Sequence, residues 1–317
     1  MARPQLNTVT LDFIGGTAVA GPSIINIPKA LSLLNRKSYR AGMVYSVDYI
    51  EIIPLAGVVA NNEYTLSKIP ENYGTLAAYR LGFAHWREQR AMVIRETDIE
   101  PGKWSDFKPW FNLDHADATL QELDVKGMGA GFVLQSLDQT GSEWNMADIE
   151  VHDLAAATTA RYPVGMLGDS NQNFGLEYGG LIDAWGDTRS ATVAPDPLMP
   201  NIGSANWMTR TGATSQEMSE QVINLIEDEN DYPPYANQND VSQPPTYVGN
   251  GQSAPNGMMV DRIVAGTTGR AMSLNGGLFP LGYIVIQTDA ADGYYVRVHC
   301  TRGTYKGVAA LPMGDFS

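Results

Sequence analysis

The sequence predicts a mainly β protein of two consecutive strand-built domains, each with one inserted helix. Three observations lead there. Short runs of β-branched and aromatic residues with a period of two recur along the chain. Gly (32) and Pro (18) are plentiful while only 18% of residues are charged, which favours many short elements joined by turns. Two segments with helical period begin about 140 residues apart, close to half the chain, so each half has strands around one helix. No residue-level repeat joins the halves; element order alone carries the duplication.

Residues 8–13 open the strand series. MVYSVDYIEII (43–53) puts Val44, Ser46, Asp48 and Ile50 on one side and Tyr45, Val47, Tyr49 and Glu51 on the other, and reads as a long, mostly buried strand. From residue 74 to about 90 the period becomes helical, with Leu76, Ala77, Phe83 and Ala84 near one face and Asn72 placed to cap. Strands are expected at 91–96, 132–137 and 176–185, and in DIEVHDL (148–154), where Asp148, Glu150 and His152 alternate with Ile149, Val151 and Asp153. Between 215 and 226, Met218, Val222, Leu225 and Ile226 form a helical stripe, and Thr214 with Glu217 fits a capping box. Three last strands are expected at 259–265, at YIVIQT (283–288), which is almost uniformly apolar, and at YYVRVHC (294–300), which alternates. The DAADG between the last two reads as a hairpin loop.

Composition narrows the function classes. A net charge of −14 and a pI near 4.6 argue against nucleic acid, which demands clustered Lys and Arg to displace counterions from phosphate. The densest basic groups, Arg36, Lys37 and Arg40, then Arg80, Arg87 and Arg90, read as solvated faces with local ion pairs. The first residues carry only Arg3, so neither a basic arm nor a signal peptide is expected. No apolar run approaches the ~18 residues of a membrane span. A single cysteine, Cys300, excludes an internal disulfide framework and a multi-cysteine metal site.

Catalytic motifs are weak. Gly168-Asp169-Ser170-Asn171 has the strand-then-turn serine of GDS-type esterases. That family places its histidine three residues after an Asp, whereas here Val296 precedes His299 by three, and the stretch reads as a turn. GMGAGF (127–132) spaces its glycines too closely for a dinucleotide loop and precedes a strand-like run. Asp148, Glu150 and His152 on one strand face, or Asp114, His115 and Asp117 in a loop, are the only metal-like groupings, and both read better as a solvated face and a turn. The expectation is no enzyme and no cofactor.

The run INLIEDENDYPPYANQND (223–240) raises the sharpest question. Glu227, Asp228, Glu229 and Asp231 crowd the end of a helix, where each exposed carboxylate costs about 0.3–1 kcal/mol against the helix dipole. Three readings stand open: an exposed acidic loop stopped by Pro233 and Pro234, contact with a basic patch on a neighbouring subunit, or a structural Ca²⁺ held by Asp228, Asp231 and nearby carbonyls. The Gly and bidentate Glu of an EF-hand are missing.

A large, acidic, β-rich chain without catalytic signature suits a structural or binding protein. Two sandwiches of about 150 residues match the outline of a double jelly roll, with a first jelly roll over 1–156 and a second over 157–317. On its overall size and on YRAGMVYSVDYIEIIP and INLIEDENDYPPY, the sequence resembles major capsid proteins of icosahedral, internal-membrane-containing phages with circular single-stranded DNA, such as the Flavobacterium-infecting lipid-containing phage. The resemblance implies pseudo-hexameric homotrimers assembled into a shell around an internal lipid membrane, with penton and minor capsid proteins as further partners and the virion as location. It brings no catalytic residues. Under it, Glu227, Asp228, Glu229, Asp231, Tyr232 and Tyr235 are expected at a subunit boundary, carboxylates meeting a neighbour's Arg or Lys and tyrosines lying between chains. The rival is a jelly-roll carbohydrate-binding or glycan-degrading protein using Trp104, Trp110, Phe111 and Trp144 as stacking platforms. That reading requires exposed aromatics clustered on one face.

Overall fold

The computed structural model describes residues 8–15, 21–55, 62–97, 102, 105–126, 144–153, 158–168, 178–188, 257–266, 270–289 and 293–315. It is mainly β. The chain lays down β1 (Thr10–Gly15), β2 (Gly21–Asn26), α1 (Ile27–Asn35), β3 (Met43–Pro54) and β4 (Glu63–Lys68). An interposed segment then carries α2 (Tyr73–Thr97), α3 (Leu113–Ala116), β5 (Gln121–Glu122), β6 (Asp148–Asp153), β7 (Thr158–Gly165), β8 (Gly179–Gly180) and α4 (Leu181–Asp187). The last run is β9 (Met258–Val264), β10 (Met272–Pro280), β11 (Tyr283–Thr288), β12 (Tyr294–Cys300), β13 (Arg302–Gly303), β14 (Gly307–Val308) and β15 (Ala310–Pro312).

Two five-stranded sheets dominate. One runs β1-β12-β3-β10, with β15 also paired to β3; the other runs β5-β2-β11-β4-β9. The first four strands meet β9–β12 in mirror order and antiparallel: β1 with β12, β2 with β11, β3 with β10, β4 with β9. The sandwich is therefore one long hairpin folded over on itself. Both sheets take strands from either side of residue 156. Together the two sheets form one ten-stranded sandwich. β11 and β12 lie in different sheets and do not pair as the hairpin expected around DAADG.

Burial explains the sequence patterns. Phe13, Ile25, Val47, Ile50, Leu66, Ile284, Ile286, Val296 and Val298 fill the space between the sheets. A second core lies on the other face of the β2-β11-β4 sheet, where Ile24, Tyr283 and Val285 meet Leu76, Ala77 and Leu81 of α2, Phe111, Val164, and Leu181 and Trp185 of α4. β11 is thus buried on both faces, the reason YIVIQT shows no alternation. Each large apolar side chain removed from water contributes about 1.5–3 kcal/mol. β12 alternates because its outer face stays at the surface, where Arg297 meets Asp12 at 2.7 Å and His299 stacks on Tyr49 with ring centroids 4.1 Å apart.

Two segments depart from their expected state. Residues 91–96 continue α2, because extending a formed helix adds one hydrogen bond per residue and overrides the weak strand preference of Val93 and Ile94. Asn72 does cap it, its Oδ1 accepting from the Thr75 N–H at 2.8 Å. Within 176–185, Gly179–Gly180 form β8 but residues 181–185 begin α4, a short apolar run whose periodicity alone does not separate strand from helix. The strand expected at 132–137 and the helix at 215–226 lie outside the described residues.

β3 also breaks its own alternation. Asp48 and Tyr49 are both exposed, and the register against β12 slips by one residue there, so Tyr45 and Val47 before the bulge share the interior with Ile50 and Ile52 after it. The neighbour β10 keeps register by bending in step at Gly276 and Gly277. A Cβ on Gly276 would collide with the carbonyl oxygens of Val47 and Asp48, and Gly277 has φ +154°. Gly276→Ala is expected to cost about 1–3 kcal/mol, read as a lower urea midpoint at unchanged slope; an unchanged midpoint would show that the backbones do not approach this closely.

His85 sits in the buried face of α2 at 1% exposure, with neither ring nitrogen meeting a hydrogen-bond partner among the described residues. Burial lowers its pKa to about 4. Its folded form thus resists a proton that the unfolded chain accepts near pH 6.5, and stability, full above that pH, declines as pH falls toward 4. The loss approaches about 3 kcal/mol. His85→Leu is expected to flatten the urea midpoint between pH 7 and pH 4.5 relative to the parent protein; an equally steep profile in both would place the acid sensitivity elsewhere.

Candidate functional site

Helical spacing brings Arg80, Phe83, Ala84 and Arg87 onto one face of α2, since residues three, four and seven apart lie along a single stripe. That face borders the segment entering β3 and the chain after β15. Between them lies a cleft of about 490 Å³, lined by Arg40, Arg80 and Arg87, by Tyr79 and Phe83, by Asp106, and by Pro312 and Gly314. Among the described residues, three guanidinium groups therefore line it with one carboxylate, in a chain of net charge −14.

The frame of the cleft is fixed from several sides. The Arg40 N–H donates to the Tyr305 hydroxyl at 3.0 Å, and the Arg40 carbonyl accepts from the Tyr45 hydroxyl at 2.6 Å. Arg80 Nη2 donates to the Gly314 carbonyl at 2.8 Å, tying α2 to the chain after β15. Asp106 is held by the N–H groups of Phe107 at 3.0 Å and Ala41 at 3.2 Å. Positive charge extends past the rim. Lys306 is held below the usual ammonium range by burial first, then by the charges of Arg40 and Lys37, and its Nζ donates to the Ser38 carbonyl.

The two basic groups of the sequence, read there as solvated faces, thus converge through Arg40, Arg80 and Arg87. Sequence reasoning missed Asp106 and the aromatic wall. The available signal was the Arg80, Ala84, Arg87 spacing on a predicted helix.

A second polar cluster joins the interposed segment to the sandwich. Lys29 of α1, 5% exposed, places Nζ 2.9 Å from Glu122 Oε2, and His115 Nε2 lies 3.8 Å from the same oxygen. Burial by itself would raise the Glu122 carboxyl; hydrogen bonds and charge from His115 and Lys29 hold it below the ordinary range. His115 is buried against Trp110 and Tyr283, while Asp114 and Asp117 are exposed, so the loop metal grouping is not assembled. Glu122→Gln is expected to cost on the order of 2 kcal/mol by leaving Lys29 without its counter-charge. Adding Lys29→Met should restore most of it, and a null effect of Glu122→Gln in urea unfolding would show the pair to be solvated.

Of the remaining site candidates, Glu227, Asp228, Glu229, Asp231, Tyr232 and Tyr235 lie outside the described residues, as do Ser170, the 127–132 glycines and the Asp228/Asp231 cation reading. Of Asp148, Glu150 and His152, only the Asp148 side chain is described, and it is exposed. No cluster of three or more His, Cys, Asp or Glu side chains suited to a metal occurs among the described residues. Phe111 is fully buried and Trp144 is 2% exposed beneath the Lys108 ammonium, while Trp110 is half-buried edge-on to His115. Burial of Cys300 pushes its thiol up to about 12, which leaves it an unreactive core residue. Compared with known proteins, the chain matches no family model, no curated protein and no solved structure.

Proposed function

We propose that this protein is the major subunit of an icosahedral viral shell, assembling as homotrimers of pseudo-hexagonal outline around an internal lipid membrane. The observation that carries the reading is the mirror-order pairing of eight sandwich strands, which is the connectivity of a jelly roll, an architecture used by capsid subunits. Fold alone gives only analogy. Two surface features of this chain add to it. The arginine-lined cleft breaks an otherwise acidic charge balance, and β9, the outermost strand of its sheet among the described residues, shows Met259 at 61% and Val264 at 49% exposure, apolar groups at a sheet edge.

In the double jelly-roll form of this reading, α2, α4 and the sheet β6-β7-β8 would be parts of the second sandwich. The partners are further copies of the chain, penton and minor capsid proteins, and lipids of the internal membrane; nucleic acid is not contacted directly. The subunit would pass from host cytoplasm into the virion. The glycan-binding rival loses Phe111 and Trp144 as stacking platforms, because both are buried.

The purified protein is expected to show a trimer mass in solution and hexagonal particles or shells by negative-stain electron microscopy. A monomer over the micromolar range that forms no particles at raised concentration would reject the proposal.

A further inference from the structure

We infer that the arginine-lined cleft is a docking site between copies of the chain, and that it takes the acidic, tyrosine-bearing run Glu227, Asp228, Glu229, Asp231, Tyr232 and Tyr235 of a neighbouring subunit. The inference rests on the shell reading and names the contact that would hold subunits together.

Charge complementarity carries it. Among the described residues, Arg40, Arg80 and Arg87 line the cleft with Asp106 as the one carboxylate, and Lys37 and Lys306 extend the positive field beside Arg40. The acidic run is the densest grouping of carboxylates in the sequence, four in five residues, followed by two tyrosines and two prolines. Guanidinium groups match carboxylates with paired, charge-assisted hydrogen bonds, stronger than those of an ammonium. The apolar wall of Tyr79, Phe83 and Pro312 offers the tyrosines a surface on which rings stack or lie edge-on.

Size and rigidity agree. A volume of about 490 Å³ falls within the range of sites that enclose a ligand of several side chains. The Arg40 backbone and the Arg80 guanidinium are already held by hydrogen bonds, so binding would order few additional groups.

The test exchanges charges. One variant carries Arg40→Glu and Arg87→Glu, the other Glu227→Lys and Glu229→Lys; thermal unfolding of each confirms the fold, and mass photometry reads assembly. Each variant alone is expected to lose roughly tenfold or more in oligomer affinity. A chain carrying all four changes should recover to within about threefold, and an equimolar mixture of the two variants should form mixed oligomers that neither forms alone. Recovery in the four-change chain without recovery in the mixture would place the contact within one chain and overturn the inference. Full assembly of either variant alone would also overturn it, assigning the cleft to another anion such as a lipid phosphate, while leaving the shell reading intact. A parent protein that never assembles would remove the shell reading itself, and the inference with it.

Discussion

The nested antiparallel pairing of the first four sandwich strands with β9–β12 is the constraint on which the rest of the structure depends. β1 closes on β12 and β4 on β9, so neither sheet exists until the chain has returned from residue 257 to residue 300. Contacts of such sequence separation are slow to form, because the loop must close before any ladder rewards it. Once formed, the same pairing holds the interposed segment at one end of a rigid support, where its helices find a surface to cover.

That surface is the outer face of the β2-β11-β4 sheet. Ile24, Tyr283 and Val285 are apolar on the side away from the sandwich interior, and α2, α4 and the 105–126 loop bury them. The Lys29–Glu122 pair then fixes the loop to α1 at a defined place, a polar contact inside an otherwise apolar junction. Direction comes from the hydrophobic layer and register from the ion pair, since an apolar face alone tolerates sliding. The opposite sheet keeps a wet outer face with Arg297, Glu51 and His299, which leaves the two sides of the sandwich chemically distinct.

The cleft follows from this arrangement. α2 is long enough to run past the sheet it covers, and the arginine-bearing stripe of its middle turns faces the approach to β3 and the chain after β15. Among the described residues that line the cleft, Asp106 is the carboxylate set against these arginines, a local reversal of sign in a chain of net charge −14.

Local rules read off the sequence determined much of this protein. The β class, the strand at β3, the alternation of β12, the uniformly apolar β11 and the Asn72 cap of α2 follow from side-chain period and capping chemistry, which act over a few residues. So did the separate basic groups around Arg40 and Arg80. Tertiary structure alone decided which strands pair, that β1–β4 close on β9–β12, that β3 changes faces at Asp48, and that Arg40 meets Arg80 and Arg87. Those outcomes depend on contacts between residues tens to hundreds of positions apart. Periodicity is blind to them, because a strand's pattern records how many of its faces are buried but not which partner buries them.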